Sequence, residues 1–142
     1  MSNLEYYKSL KDRYKQQLDR LNWKVKNIER SYNTLRVFNT TVDGSFQDFN
    51  GVISSKKSVL SEVNNIKKNS LIAQRYSEGI GNTCNSIGTK IVATAFKGFL
   101  FQLKVKLNSY INNLNDLNSQ IEMYKRWIND LELKIEQEKL SS

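Results

Sequence analysis

Apolar residues recur in two rows along the last third of the chain. Leu100, Leu107, Leu114, Ile121, Ile128 and Ile135 are seven residues apart, and Phe96, Leu103, Tyr110, Leu117, Tyr124 and Leu131 form a second row offset by three or four. Rows with that offset fall on one narrow stripe of an α-helix, the a/d seam of a coiled coil. The first third repeats the pattern: Leu4, Lys11, Leu18, Val25 and Tyr32 in one row, Tyr7, Tyr14, Leu21, Ile28 and Leu35 in the other. Only Lys11 breaks it. Its remaining faces are polar apart from Tyr6, Leu10, Trp23 and Val37, so this too is a seam and not the broad stripe of a globular helix. The spacing predicts helices over 3–38 and 90–139.

The middle reads less regularly. Residues 39–45, Asn-Thr-Thr-Val-Asp-Gly-Ser, favour side-chain hydrogen bonds and turns over helix, which predicts an interruption. Ser45 with Asp48 can cap a restart. A second helix over 45–76 would carry Phe46, Phe49, Ile53, Leu60 and Val63, with Val52, Val59 and Ile66 beside them, a face wide enough for more than one neighbour. Gly79, Gly81 and Gly88 make helix costly over 77–89, at roughly 1 kcal/mol each against alanine, and mark a turn, although Ile80, Cys84, Ile87 and Ile91 keep helical spacing, which allows part of it to be a short helix close to another backbone. No Gly-Lys-Ser/Thr follows and no strand precedes, so this is not a phosphate-binding loop. At the start of the third helix Ile91, Val92, Ala95, Phe99 and Phe101 lie off both rows. A helix apolar nearly all round is expected to be buried on several sides.

The expected fold is therefore all-α, one helical domain over 1–142: an elongated antiparallel hairpin or coiled coil with an interrupted N-terminal helix, or alternatively a three-helix bundle. Turning once near Thr83 leaves about the first two dozen residues overhanging, by equal-distance pairing along antiparallel helices. Turning at 39–45 leaves the end of the third helix overhanging. Either way a seam lacks a partner within the chain, which points to a second molecule: a different helical protein, or alternatively a copy, which would make this a self-assembling coiled-coil structural protein.

Composition narrows the chemistry. There is no proline, so the main helix breaker is missing, and no histidine, which removes the commonest acid/base group and metal ligand. Cys84 is the single cysteine, so no internal disulfide forms. It reads as a small, partly buried residue. Carboxylates such as Glu132, Glu136 and Glu138 fall on polar helix faces where a solvated charge is the default. No enzyme, metal site, cofactor or small-molecule substrate is indicated. The net charge is +8, with nine Lys/Arg against four acids over 1–38, five against four over 39–78 and eight against six beyond. The cations of the first helix spread over several faces with acids among them, more a solvated surface than a phosphate-tracking stripe, with binding to nucleic acid or an anionic membrane through this basic helix as an alternative. Nucleic acid is disfavoured. The opening Met1-Ser2-Asn3-Leu4-Glu5 lacks the basic-then-apolar pattern of a secretory signal. Residues 91–103 are too short for a membrane span of about 20 residues. A cytoplasmic protein is expected, with co-export beside a partner by a route that needs no cleaved signal.

A helical hairpin of this length, with a glycine-containing break and a heptad-patterned C-terminal helix, resembles the small partner proteins of LXG polymorphic toxins. These belong with the WXG-type helical hairpins of type VII secretion in Gram-positive bacteria. The likeness is one of pattern. In place of a Trp-x-Gly turn the nearest matches are Phe49-Asn50-Gly51 and residues 79–88, and neither Tyr124 nor Tyr110 begins a Tyr-x-x-x-Asp/Glu export signal. The resemblance implies an adaptor or targeting chaperone that rides with, or prepares, a toxin carrying the signal, alone or with a second small helical partner. Candidate partner-binding residues are Phe99, Phe101, Trp23, Trp127, Tyr7 and Tyr14. Both tryptophans lie beside their seams, and Trp, Tyr and Arg are enriched at binding hot spots.

The seam pattern predicts that small-angle scattering gives a radius of gyration well above the ~14–15 Å of a compact domain this size. A compact value, or appreciable strand by circular dichroism, would contradict it.

Overall fold

The computed structural model describes residues 3–66 and 71–141, and their side chains except those of 63–66 and 73. Three α-helices make up almost all of this: α1 (Asn3–Ile66), α2 (Leu71–Cys84) and α3 (Ile87–Ser141). Among the described residues there is no strand, so the fold is an all-α hairpin. Contacts gather into two compact units. A terminal unit joins Met1–Thr34 to Lys106–Ser142, and a middle unit spans Leu35–Val105.

In the terminal unit the beginning of α1 lies antiparallel to the end of α3. The ring of Tyr14 sits 5.6 Å from that of Tyr124 and 5.5 Å from that of Trp127. The Lys134 ammonium lies 5.6 Å from the centre of the Tyr7 ring. Leu21, Ile121, Ile128, Leu131 and Ile135 are buried. Each such side chain contributes about 1.5–3 kcal/mol relative to exposure. Lys11, the one charged residue in the seam over 4–35, reaches outward to Glu132, Nζ to Oε1 3.2 Å. Half-exposed pairs contribute little stability. A lone lysine at a seam position instead disfavours other registers. The expected overhang is thus absent, because the first residues of α1 pair with the last of α3.

In the middle unit α2 also runs back along α1. Cys84 is buried with its Sγ 4.0 Å from the Ile53 carbonyl oxygen, and a Leu60 methyl lies 3.7 Å from where a Cβ on Gly81 would stand. α2 thus already lies against α1, and the expected turn over 77–89 is corrected. Gly79 and Gly81 are helical, and only Asn85 and Ser86 leave the helix. That joint is a tied bend. Ser86 Oγ accepts from the Thr89 backbone N–H at 3.1 Å as the N-cap of α3, while the Thr89 hydroxyl donates to the Thr83 carbonyl at 2.8 Å. The expected second helix over 45–76 divides between α1 and α2. Residues 67–70, and the side chains of Val63 and Ile66, lie outside what is described.

The expected interruption at 39–45 is also corrected, since α1 passes through it unbroken. Two physical reasons account for this. The seam does not change phase: Asn39, Val42, Phe46, Phe49 and Ile53 continue the rows of Tyr32 and Leu35 at steps of three and four, Leu60 follows seven residues on, past the exposed Lys56, and all six are at least partly covered. Thr40 and Thr41, the residues expected to compete with helix, turn their hydroxyls onto the carbonyls of Arg36 and Val37, both at 3.1 Å, so their polar groups are satisfied inside the helix.

Helix through this stretch predicts the effect of Gly44→Ala. A Cβ there meets nothing within 4 Å, so alanine should stabilise the fold by about 0.5–1 kcal/mol in urea unfolding. A loss of stability would place residue 44 in a turn.

Candidate partner-binding surface

Antiparallel helices set like flanks against each other. With Leu4 and Leu100 at a, the flank on one side of the seam is built from e positions of both helices and the other from g positions. In the middle unit these flanks differ. The e flank holds Arg36, Asp43, Asn50 and Lys57 from α1 and Lys90, Lys97 and Lys104 from α3. The g flank holds Phe38, Ser45, Val52 and Val59 from α1 and Val92 and Phe99 from α3, with no charge. Phe38 and Phe99 meet edge to face at 5.9 Å, which places the g positions together. All six of these g-flank residues are nevertheless exposed.

The outer side of α3 continues this surface. Ile87, Ile91, Phe101 and Val105 are exposed, and so are Leu71, Ile72 and Tyr76 on α2. Residues 91–103 are therefore not buried on several sides as the pattern suggested, because two helices cover only the seam stripe between them. Only Leu103 in that segment is buried. The charge count follows the same division. The middle unit carries 13 charged residues in 71, nine basic and four acidic, against 23 in 71 in the terminal unit.

Of the six candidate residues, Phe101 is 67 % exposed and Phe99 is 42 % exposed against Phe38. Trp23 is 66 % exposed at the edge of a shallow depression of about 440 Å³ that Ile28, Asn113, Asp116 and Leu117 help to line. Tyr14 and Trp127 come together with Tyr124 on the terminal seam. Tyr7 lies half-buried beside Tyr6, ring centres 5.8 Å apart. The structure thus brings Tyr14 and Trp127 together, and Phe101 and Trp23 stand out from the helices. Sequence reasoning passed over Phe38, Val105 and Ile87. Their signal was available in the heptad phase, which puts Phe38 on the g flank and the other two on the outer face.

Besides Lys11 with Glu132, Lys125 pairs with Glu122 three residues away on the same helix at 3.5 Å. No helix among the described residues is long and apolar enough to cross a membrane. The chain matches no protein-family model, no curated protein and no solved structure.

Exposure predicts a graded alanine series. Leu103→Ala should cost about 2–5 kcal/mol as a cavity mutation, whereas Phe101→Ala, two residues earlier, should stay within about 0.5 kcal/mol of the parent. Phe99→Ala should fall between them through loss of the Phe38 contact. Equal destabilisation by Phe101→Ala and Leu103→Ala in chemical unfolding would mean that the outer face is internal packing.

Proposed function

We propose that this protein is a non-enzymatic helical adaptor or targeting chaperone, one that pairs with a helical domain of a larger protein. The observation that carries the reading is the exposed apolar surface of the middle unit: the g flank, the outer side of α3, and Leu71, Ile72 and Tyr76 on α2. Contiguous apolar surface on a soluble chain marks a contact site more often than chance exposure. Pairing works by mass action, since covering this surface stabilises the bound state of both partners. The earlier motive for a partner, an unmatched seam, no longer applies. Self-assembly as a coiled-coil rod drew on the same overhang and loses that support.

The hairpin pattern, with its likeness to LXG toxin partners, supports a narrower form of the reading. The larger protein is then the helical N-terminal domain of a toxin exported by type VII secretion, and the chain prepares it or travels with it.

Co-expression with the products of neighbouring genes tests this. The expected outcome is a complex of fixed stoichiometry by size exclusion with light scattering, formed with a long protein that has a helical N-terminus. A well-behaved monomer that engages none of them contradicts the adaptor reading.

A further inference from the structure

The outer side of α3 carries a second heptad stripe, opposite the seam. Ile87, Ile91, Thr94, Gly98, Phe101 and Val105 follow one another at steps of four and three, and none is charged. All six are exposed. Gly98 has open space where a Cβ would stand, so no neighbour within the chain accounts for a glycine in mid-helix. Ile87, Ile91 and Thr94 line a shallow depression of about 420 Å³ together with Lys90 and Ala95. One edge of the stripe is a column of lysines at seven-residue spacing, Lys90, Lys97 and Lys104; the other edge, Gly88, Ala95 and Gln102, is uncharged. Among the described residues none of these lysines makes an ion pair. Of the α1 residues on the flank they face, Arg36 and Lys57 add positive charge and Asp43 alone opposes it.

We propose that this stripe is the docking site for an amphipathic helix of another protein, one with acidic residues every seven positions along a single edge. The inference rests on the adaptor reading and names the partner's chemistry. Heptad spacing calls for a helix, and the lysine column fixes which edge of it is acidic. A second copy fits poorly. Packed antiparallel, it would set lysine column against lysine column; packed parallel, it would leave both columns opposite uncharged edges.

The test uses the full chain and two designed peptides of about four heptads with identical apolar rows. One carries Glu along the edge and the other Lys. The Glu peptide should bind, by fluorescence anisotropy, and the Lys peptide should not. The double change Lys97→Glu with Lys104→Glu should weaken the Glu peptide by about tenfold or more and admit the Lys peptide. Phe101→Ala should weaken the Glu peptide without moving the thermal midpoint. Equal binding of both peptides, no binding, or indifference to these changes overturns the proposal. So does retention on phosphatidylcholine–phosphatidylglycerol vesicles in place of peptide binding, or self-association that Phe101→Ala abolishes. The same variants in the co-expressed complex separate the two levels. A complex that survives them sinks the stripe and leaves the adaptor; no complex with any partner sinks the adaptor itself.

Discussion

Two helices can bury only one stripe each, and the rest of this protein follows from that limit. The a/d rows of α1 and α3 are satisfied by each other, yet most seam side chains stay half-covered, and no described side chain is wholly removed from solvent. The chain exposes 10436 Å², where a globular monomer of its mass exposes about 7,500 Å². Any apolar residue placed off the seam has nowhere to go but the surface. Its location is then a record of what the sequence leaves for something other than its own folding.

The two units spend their surfaces differently. The terminal unit carries more charge, though Trp23, Leu133 and Leu140 stand exposed on it, and it holds most of the buried seam, including Leu21, Ile121, Ile128, Leu131 and Ile135. The middle unit has little charge, exposed phenylalanines and valines, and glycines at 44, 51 and 98 that face open space. Each of those glycines costs helix stability on the order of 1 kcal/mol with no packing gain in the free chain. A unit that is locally suboptimal alone and rich in uncovered apolar surface suits the proposed adaptor role, in which a partner's helix would supply the missing cover.

Much of this was legible in the sequence. The rows from Phe96 to Ile135 and from Leu4 to Leu35 identified the seams residue by residue, because period and phase are properties of the chain alone. The break at 39–45 was misread because the turn preferences of Asn, Thr, Asp and Gly were weighed above the phase of Val42, Phe46 and Phe49. A real interruption seldom preserves a heptad count, and threonine can satisfy itself within a helix. The reversal was sought among Gly79, Gly81 and Gly88, but two of these sit in α2, where Gly81 admits the Leu60 methyl. Burial of Leu103 followed from its place in the row, but exposure of Phe101 needed the packing around α3 to be known, since residues 91–103 read as covered on several sides.

Internal pairing of the two seams is the claim on which the account stands, and a distance between spin labels at Lys15 and Lys125 tests it most directly. Both are exposed e positions on the same flank of the terminal unit. With Cys84 replaced by serine, double electron–electron resonance should give one short distance that persists when labelled chains are diluted into unlabelled ones. A long distance, or a short one that disappears on dilution, would mean that the seam is paired between molecules and not within one.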